Sequence, residues 1–319
     1  MARVHVVILN WNGAPDTLAC LDSIARQKSP DLRVAVVDNG SSDDSVGRIR
    51  EWARQHDGSP VVEVIEAGEN LGFAAGSNLG IRHALDAGAE MVLLLNNDTL
   101  LEPDVVGVLA RFLEDHPDFG AATGQIRYAD RPVIWNCGGD LTWLGSRKYL
   151  YGEQPVDAVP KSGWRRISFI TGCAVLMRAS TLREHGLYTE RFFFGEEDYE
   201  LSLRLKRAGV PLATCFDAVI THRVGSSIDR AAPAAALGRY YIYYLNRFID
   251  MRAYYPRPFW LVWRLASLAM VVPRLHRSRG FSWRALSTLS RKLLRDSARL
   301  EGVTKERFET ATRNGVEAV

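Results

Sequence analysis

Cysteine is scarce in this chain: Cys20, Cys137, Cys173 and Cys215 lie far apart, with no C-x-x-C pair among them. That spacing excludes a zinc knuckle or dithiol redox centre and reads as reduced core thiols of a cytoplasmic protein. Charge excess is also small, since 40 basic against 37 acidic residues leave only +3. Nothing in that balance calls for nucleic acid as a partner. No apolar run reaches the ~20 residues that a membrane-spanning helix needs. The amino-terminal run from Val4 stops at Asn10, too early for a signal peptide, and the longest candidate, Phe259 to Val272, is broken by Arg264. Internal repeats and low-complexity linkers are absent. Gly72, Gly76 and Gly80 miss the G-x-G-x-x-G spacing, which disfavours a nicotinamide cofactor. No glycine-rich, basic triphosphate loop stands near the amino terminus, which disfavours nucleotidyl transfer to sugar phosphates.

What the chain has is a hydrophobic fraction of 47%, ample for a buried core, and three apolar bursts that each end on Asn or Asp. These are Val4 to Leu9, Val34 to Val37 and Met91 to Leu95. A Val- and Leu-rich run of that length reads as a buried parallel strand, and the polar residues at its carboxyl end open into a crevice of the kind where α/β sheets bind ligands. Between the bursts, Leu18, Leu21 and Ile24 recur at helical spacing, as do Val46, Ile49 and Trp52. The alternation predicts a parallel sheet with helices on both faces. A fourth strand is expected at Val61 to Ile65, a helix at Ala74 to Ala87 and another at Asp104 to Asp115. Further strands are expected at Phe169 to Arg178 and Ala213 to Ile220, and helix from Ala234 onward.

Several polar clusters at these strand ends can carry chemistry. Asp38 before Asn-Gly-Ser-Ser suits hydrogen bonding to a nucleoside base or ribose, or else an ordinary Asx turn. Asn96, Asn97 and Asp98 offer hard oxygen donors suited to Mg²⁺ or Mn²⁺ arriving with a nucleotide diphosphate, or else a helix cap. Glu196, Glu197 and Asp198 follow three phenylalanines at a helix start, where apolar surroundings raise a carboxylate toward general-base duty and the helix dipole opposes that effect. His222 follows another short strand; a lone histidine there is more often structural than a ligand.

Taken in order, Val7-Ile-Leu-Asn-Trp-Asn-Gly13, Val37-Asp-Asn-Gly-Ser-Ser42, Asn70-Leu-Gly-Phe-Ala-Ala-Gly-Ser-Asn78, Leu94-Leu-Asn-Asn-Asp-Thr99, Thr171-Gly-Cys-Ala-Val-Leu-Met-Arg178 and Gly195-Glu-Glu-Asp198 resemble family 2 glycosyltransferases. The likeness is to the bacterial rhamnosyltransferase-type branch and covers roughly residues 4 to 250. It implies an α/β GT-A fold, a Rossmann-like mostly parallel sheet fused to an acceptor-binding half. By that resemblance Asn10, Asp38, Asn70 and Asn78, with Asn96 to Asp98, contact the donor. Asp98 then serves as the retained metal ligand of a D-x-D element whose first position is Asn96, and His222 completes the metal site. Thr171, Gly172 and Cys173 form the loop near donor sugar and acceptor. Asp198 is the catalytic base, with Glu197 beside it. The implied reaction is inverting transfer, of L-rhamnose from a thymidine diphosphate donor or of a hexose from a uridine diphosphate donor. Its acceptor is a glycan or lipid-linked glycan of the cell surface; a non-catalytic nucleotide-sugar-binding protein is the alternative.

The organisation expected is a domain over 1–250, divided at residue 103 into donor and acceptor halves, and a helical extension over 251–319. Residues 252 to 307 interleave Trp260, Trp263, Phe281 and Trp283 with Arg257, Arg264, Arg274, Arg277, Arg279, Arg284, Arg291, Lys292 and Arg295. Such a pattern suits an anionic membrane surface, here the inner face of the cytoplasmic membrane, or a solvated helical cap.

Overall fold

In a computed structural model, which describes residues 2–28, 32–56, 60–223 and 233–319, the apolar bursts become the middle of one sheet. Strands β1 (Val4–Asn10), β2 (Arg33–Asp38) and β3 (Val61–Glu66) alternate with helices α1 (Ala14–Ala25), α2 (Ser45–Gln55) and α3 (Phe73–Asp86). Then come β4 (Met91–Asn96), β5 (Thr99–Leu101), α4 (Val105–Asp115), β6 (Ala121–Tyr128) and the short β7 (Ile134–Asn136), β8 (Gly139–Leu141) and β9 (Arg147–Tyr149). The series closes with β10 (Trp164–Ile167), β11 (Ala174–Arg178), α5 (Ala179–His185), α6 (Glu197–Arg207) and β12 (Leu212–His222).

The main sheet runs β10-β12-β6-β11-β4-β1-β2-β3. Strands β3, β2, β1 and β4 are parallel, while β11 lies antiparallel to both β4 and β6. Strand order reverses between β1 and β4, so a crevice opens beyond the carboxyl ends of those two strands. Asn10, Asp38 and Asn96 all lie at such ends.

Glycines of α3 explain themselves by packing. A Cβ on Gly80 would stand 2.5 Å from Val7 Cγ1 and 2.8 Å from Val37 Cγ2, and one on Gly76 would stand 2.6 Å from Leu9 Cδ1. Spacing of four puts both on the helix face pressed against β1 and β2. The strand expected over Phe169 to Arg178 begins only at Ala174, since Phe169 to Cys173 form the loop described below.

Two compact units divide the chain, one spanning Met1–Thr189 and Glu197–Val224, the other Glu190–Glu196 and Gly225–Val319. The second unit takes all of α7 (Pro233–Tyr254), together with α8 (Arg257–Arg279), α9 (Trp283–Arg299) and α10 (Lys305–Asn314). It therefore begins earlier than the division at 250 expected from the sequence, because α7 packs as one helix against α9 and α10. Its short segment 190–196 is fastened by the Arg247 to Glu196 ion pair, buried on both sides, and by Arg191 on Asp250 at 2.6 Å. No helix among the described residues is long and apolar enough to cross a membrane.

Candidate active site

At the ends of β1 and β2 the polar side chains form a closed network. Asn10 Nδ2 donates to Asp38 Oδ1 at 2.8 Å and to Ser41 Oγ at 3.1 Å, while Thr17 Oγ1 donates to Asn10 Oδ1 at 2.7 Å. Ser41 donates to both Asp38 oxygens, through its hydroxyl at 2.6 Å and its amide at 2.9 Å. Asp38 thus makes the Asx-type turn and also keeps lone pairs for a ligand donor, because each carboxylate oxygen accepts more than one hydrogen bond. Beside it Asn39, a residue the sequence reading passed over, receives the Leu71 amide at 3.0 Å and donates to Asn70 Oδ1 at 3.1 Å. Gly40 adopts φ +73°, and a Cβ there would strike the backbone of Glu69 and Asn70 at 2.6 to 2.8 Å. The loops after β2 and β3 are clamped together at that point.

Asn78 differs from the other asparagines. Its amide donates to Tyr188 O at 2.9 Å and accepts from Tyr188 N at 3.0 Å in a fully buried setting. Its visible work is to hold Tyr188, whose hydroxyl oxygen lies 2.9 Å from where a Gly172 Cβ would sit. Burial and the nearby Asp198, Glu197 and Cys173 push the Tyr188 phenol well above its ordinary range.

The end of β4 carries the reduced acidic element. Asn96 N donates to Cys173 O at 2.8 Å, and Asn97 Nδ2 donates to Thr17 Oγ1 at 3.1 Å. Asp98 meets His222 because β5 pairs antiparallel with β12, in a register that sets His222 opposite Thr99. His222 Nε2 stands 3.1 Å from Asp98 Oδ1, and no hydrogen bond joins them. Asp98 Oδ1 and, at the other ring nitrogen, His222 Nδ1 are both buried without a hydrogen-bond partner among the described residues. Trp135 packs edge-on against the imidazole with ring centres 4.6 Å apart. A buried carboxylate oxygen beside an imidazole nitrogen, left unbonded to each other, fits a divalent cation. No cluster of three or more His, Cys, Asp or Glu ligands occurs among the described residues, so the remaining donors must come from ligand and water.

Asp198 stands in the first turn of α6. One of its oxygens lies 3.4 Å from the Gly172 amide and the other 3.4 Å from Arg147 NH1. Arg147, on β9, also lies over the rings of Phe169 and Tyr149, 5.2 and 5.8 Å from their centres. Sequence reasoning missed Arg147, which sits in a loop-rich stretch with no periodicity to mark it. Cys173 is buried, and desolvation together with Asp98, Cys20 and Asp198 drives its thiol well above the usual range. The cysteine therefore stays a neutral thiol in the loop whose Gly172 amide meets Asp198. Thr171 Oγ1 accepts from Cys173 N at 3.3 Å and shapes the same loop. Motif residues 224–227, which follow His222 and Arg223 in the sequence, lie outside the described residues.

A switch-point crevice walled by amides and one carboxylate, an acid–imidazole pair and a second, arginine-faced carboxylate defines an α/β enzyme-type site of GT-A architecture. The chain belongs to the glycosyltransferase family 2, whose model, described as "Glycosyltransferase like family 2", matches residues 2–236. It is 33% identical over 224 residues to an N-acetylglucosaminyltransferase of Rhizobium sp. (strain N33), covering 68% of this chain and 47% of that protein. With galactofuranosyltransferase GlfT1 of Mycobacterium tuberculosis it shares 31% over 218 residues, 66% of this chain and 67% of that protein. The chain spans about half the length of the rhizobial relatives it matches. In fold it is similar to a mannosyltransferase from Pyrobaculum calidifontis solved with GDP-Man and Mn²⁺, with a TM-score of 0.60 at 20% identity over 98% of this chain and 87% of that one. These relatives bear N-acetylglucosaminyl and galactofuranosyl names where a rhamnosyl one was expected from the sequence.

Proposed function

We propose that this chain transfers a hexosyl unit, with inversion, from a nucleoside diphosphate sugar to a hydroxyl of a glycan or lipid-linked glycan. The observation that carries the reading is a pair of carboxylates tied to the loop 171–173: Asp98, beside His222 and two residues past Asn96, whose amide donates to Cys173 O, and Asp198, held by the Gly172 amide and Arg147. Asn10, Asp38 and Asn70 line the nucleoside end, and Asn96 and Asn97 turn the chain toward the diphosphate. Asp198 takes the proton of the acceptor hydroxyl as that oxygen forms its bond to the anomeric carbon. The bond from the anomeric carbon to the diphosphate oxygen breaks in the same step and carries its electron pair away on the nucleotide. Glu197 sits beside the base in the same turn and sets the local charge.

Asp98 and His222 would hold a divalent ion, Mg²⁺ or Mn²⁺, which when bound supplies positive charge to the departing diphosphate. Solved structures of similar fold contain Mn²⁺, which supports this part of the reading. With Asn96 in place of a second acid, the protein offers one negative charge and leaves the rest to the donor. The names of the relatives widen the donor from the deoxyhexose of the sequence reading to hexoses and N-acetylhexosamines. The workplace we assign is the anionic inner face of the cytoplasmic membrane, where a lipid-linked acceptor would be presented; nucleic acid has no part in it.

The test is a screen of thymidine, uridine and guanosine diphosphate sugars with and without Mn²⁺, on the wild type and on Asp198→Asn. Positioned base catalysis contributes about 10²- to 10⁴-fold. Asp198→Asn should lose that factor in kcat while donor binding persists. Near wild-type turnover would dismiss Asp198 as the base, and donor binding without any cleavage would leave a nucleotide-sugar-binding protein.

A further inference from the structure

The sequence pattern gave a membrane-facing role to Trp260, Trp263 and Arg264, and the structure turns all three inward. Trp260 Nε1 donates to Phe248 O at 2.9 Å, and Trp263 packs edge-on against Phe248 with ring centres 5.2 Å apart. The Arg264 guanidinium stacks on Trp260 at 3.7 Å and donates to Leu294 O at 2.8 Å and Ser297 Oγ at 3.0 Å. The charge that interrupts the apolar run in the sequence is therefore spent inside the helical unit.

That leaves the opposite face of α8 without a polar residue from Pro258 to Met270. Every exposed residue from Pro258 to Met270 is apolar, and Leu261, Val262, Leu265 and Met270 are 43%, 66%, 58% and 64% exposed. At 100° per residue, Pro258, Leu261, Val262, Leu265 and Ala269 form one stripe along the helix, opposite the buried Trp260, Arg264 and Ser267. An exposed apolar stripe of this length is normally covered by a partner or a membrane. Between Met251 and Arg295 there are ten Lys or Arg residues and no Asp or Glu. Arg257 at one end of the stripe and Arg274, Arg277 and Arg279 at the other are exposed.

We propose that this face of α8 is an interfacial membrane anchor, its aliphatic stripe sunk at the level of the headgroups and its flanking arginines on anionic phospholipid. It deepens the membrane assignment made under the proposed function by naming the face and its chemistry. Charge selects the occupant. A second copy meeting this face about a two-fold axis would bring arginines against arginines, with no acid from 251 to 295 to offset them. An anionic bilayer supplies both the apolar layer and the countercharge.

Co-sedimentation of the full chain with vesicles of equal parts phosphatidylcholine and phosphatidylglycerol tests it. Wild type should bind these vesicles, bind phosphatidylcholine alone far more weakly, and release in high salt. Val262→Gln/Leu265→Gln, at exposed positions that the fold does not use, should lower binding about tenfold, as should Arg274→Gln/Arg277→Gln. Both doubles should match wild type in circular dichroism and in donor hydrolysis. Wild type that stays in the supernatant, or a Val262→Gln/Leu265→Gln protein that binds equally well, overturns the proposal. So does a wild-type dimer that this double variant splits, which would give the face to a second copy. Vesicle binding by a protein that cleaves no donor would sink the catalytic reading and leave the anchor standing.

Discussion

Two glycine-to-alanine substitutions, in the successive helices α2 and α3, should move stability in opposite directions. In Gly80→Ala the new methyl would lie 2.5 Å from Val7 Cγ1 and 2.8 Å from Val37 Cγ2. Carbon atoms settle at roughly 3.5 to 4.0 Å, so both contacts are short by about an ångström. Neither wall can swing away, since Val7 and Val37 are buried β-branched side chains on central strands. Overpacking of this kind costs about 1 to 3 kcal/mol, and contact on two sides puts Gly80→Ala at or above the upper end. The gain of alanine over glycine in a helix returns about 1 kcal/mol, leaving a net loss of about 2 kcal/mol. Gly47, in α2, has open space around it, with nothing within 4 Å of where a Cβ would sit. Gly47→Ala therefore keeps the propensity gain and should stabilise by up to ~1 kcal/mol. Urea denaturation of the pair against wild type reads both signs. A Gly80→Ala protein as stable as wild type would refute the close packing of α3 on β1 and β2, and with it the stated reason for the glycine spacing. Combining Gly80→Ala with Val7→Ala should recover part of the loss as a measurable coupling, since the two sites touch.

Other expectations follow from the same geometry. Glu196→Gln removes the carboxylate that faces the buried Arg247 guanidinium, and breaking such a pair costs about 3 to 5 kcal/mol; a midpoint of unfolding within error of wild type would contradict it. His222→Ala should weaken Mn²⁺ dependence of donor cleavage and leave metal-independent donor binding in place, as titration calorimetry with the nucleotide alone would show. All four cysteines are buried, and burial lifts the thiols of Cys20, Cys137 and Cys215 to about 12 and that of Cys173 well above its ordinary range. At pH 8 the thiolate fraction at the first three is then on the order of 10⁻⁴, so mass spectrometry should find native protein unmodified by iodoacetamide and four-fold alkylated only after denaturation. Rapid labelling of Cys173 in the folded state would mean the loop 171–173 opens to solvent.

Much of the donor half was legible from residue order alone. Apolar bursts at Val4 to Leu9, Val34 to Val37 and Met91 to Leu95 gave the strand positions, because an apolar run with a polar stop encodes both burial and its end locally. Helix α3, expected over Ala74 to Ala87, came within a residue at each end, because its apolar spacing is also local. Arg147 resisted, since it sits outside any repeat of two or 3.6 residues, and Phe169 to Cys173, expected as the start of a strand, form a loop instead. Asn78 was read as a donor contact on motif grounds, yet its amide is taken up by the Tyr188 backbone, a pairing across 110 residues that no local pattern announces.

Which charges meet was decided in three dimensions. Asp98 and His222 come together because β12 sits beside β6 and pairs with β5 in one particular register; a slip of one residue would turn the histidine to the other face. Asp198 faces Arg147 because a short hairpin, β8 and β9, carries the arginine to it. Trp260 and Arg264 left the surface because α7 and α9 offered a carbonyl, a hydroxyl and an apolar wall, and that transfer exposed the aliphatic stripe instead. Periodicity along a chain determines which elements form and that each has an apolar side. The partner that side finds, and so what stays outside, is set by strand order and helix packing between residues far apart in sequence.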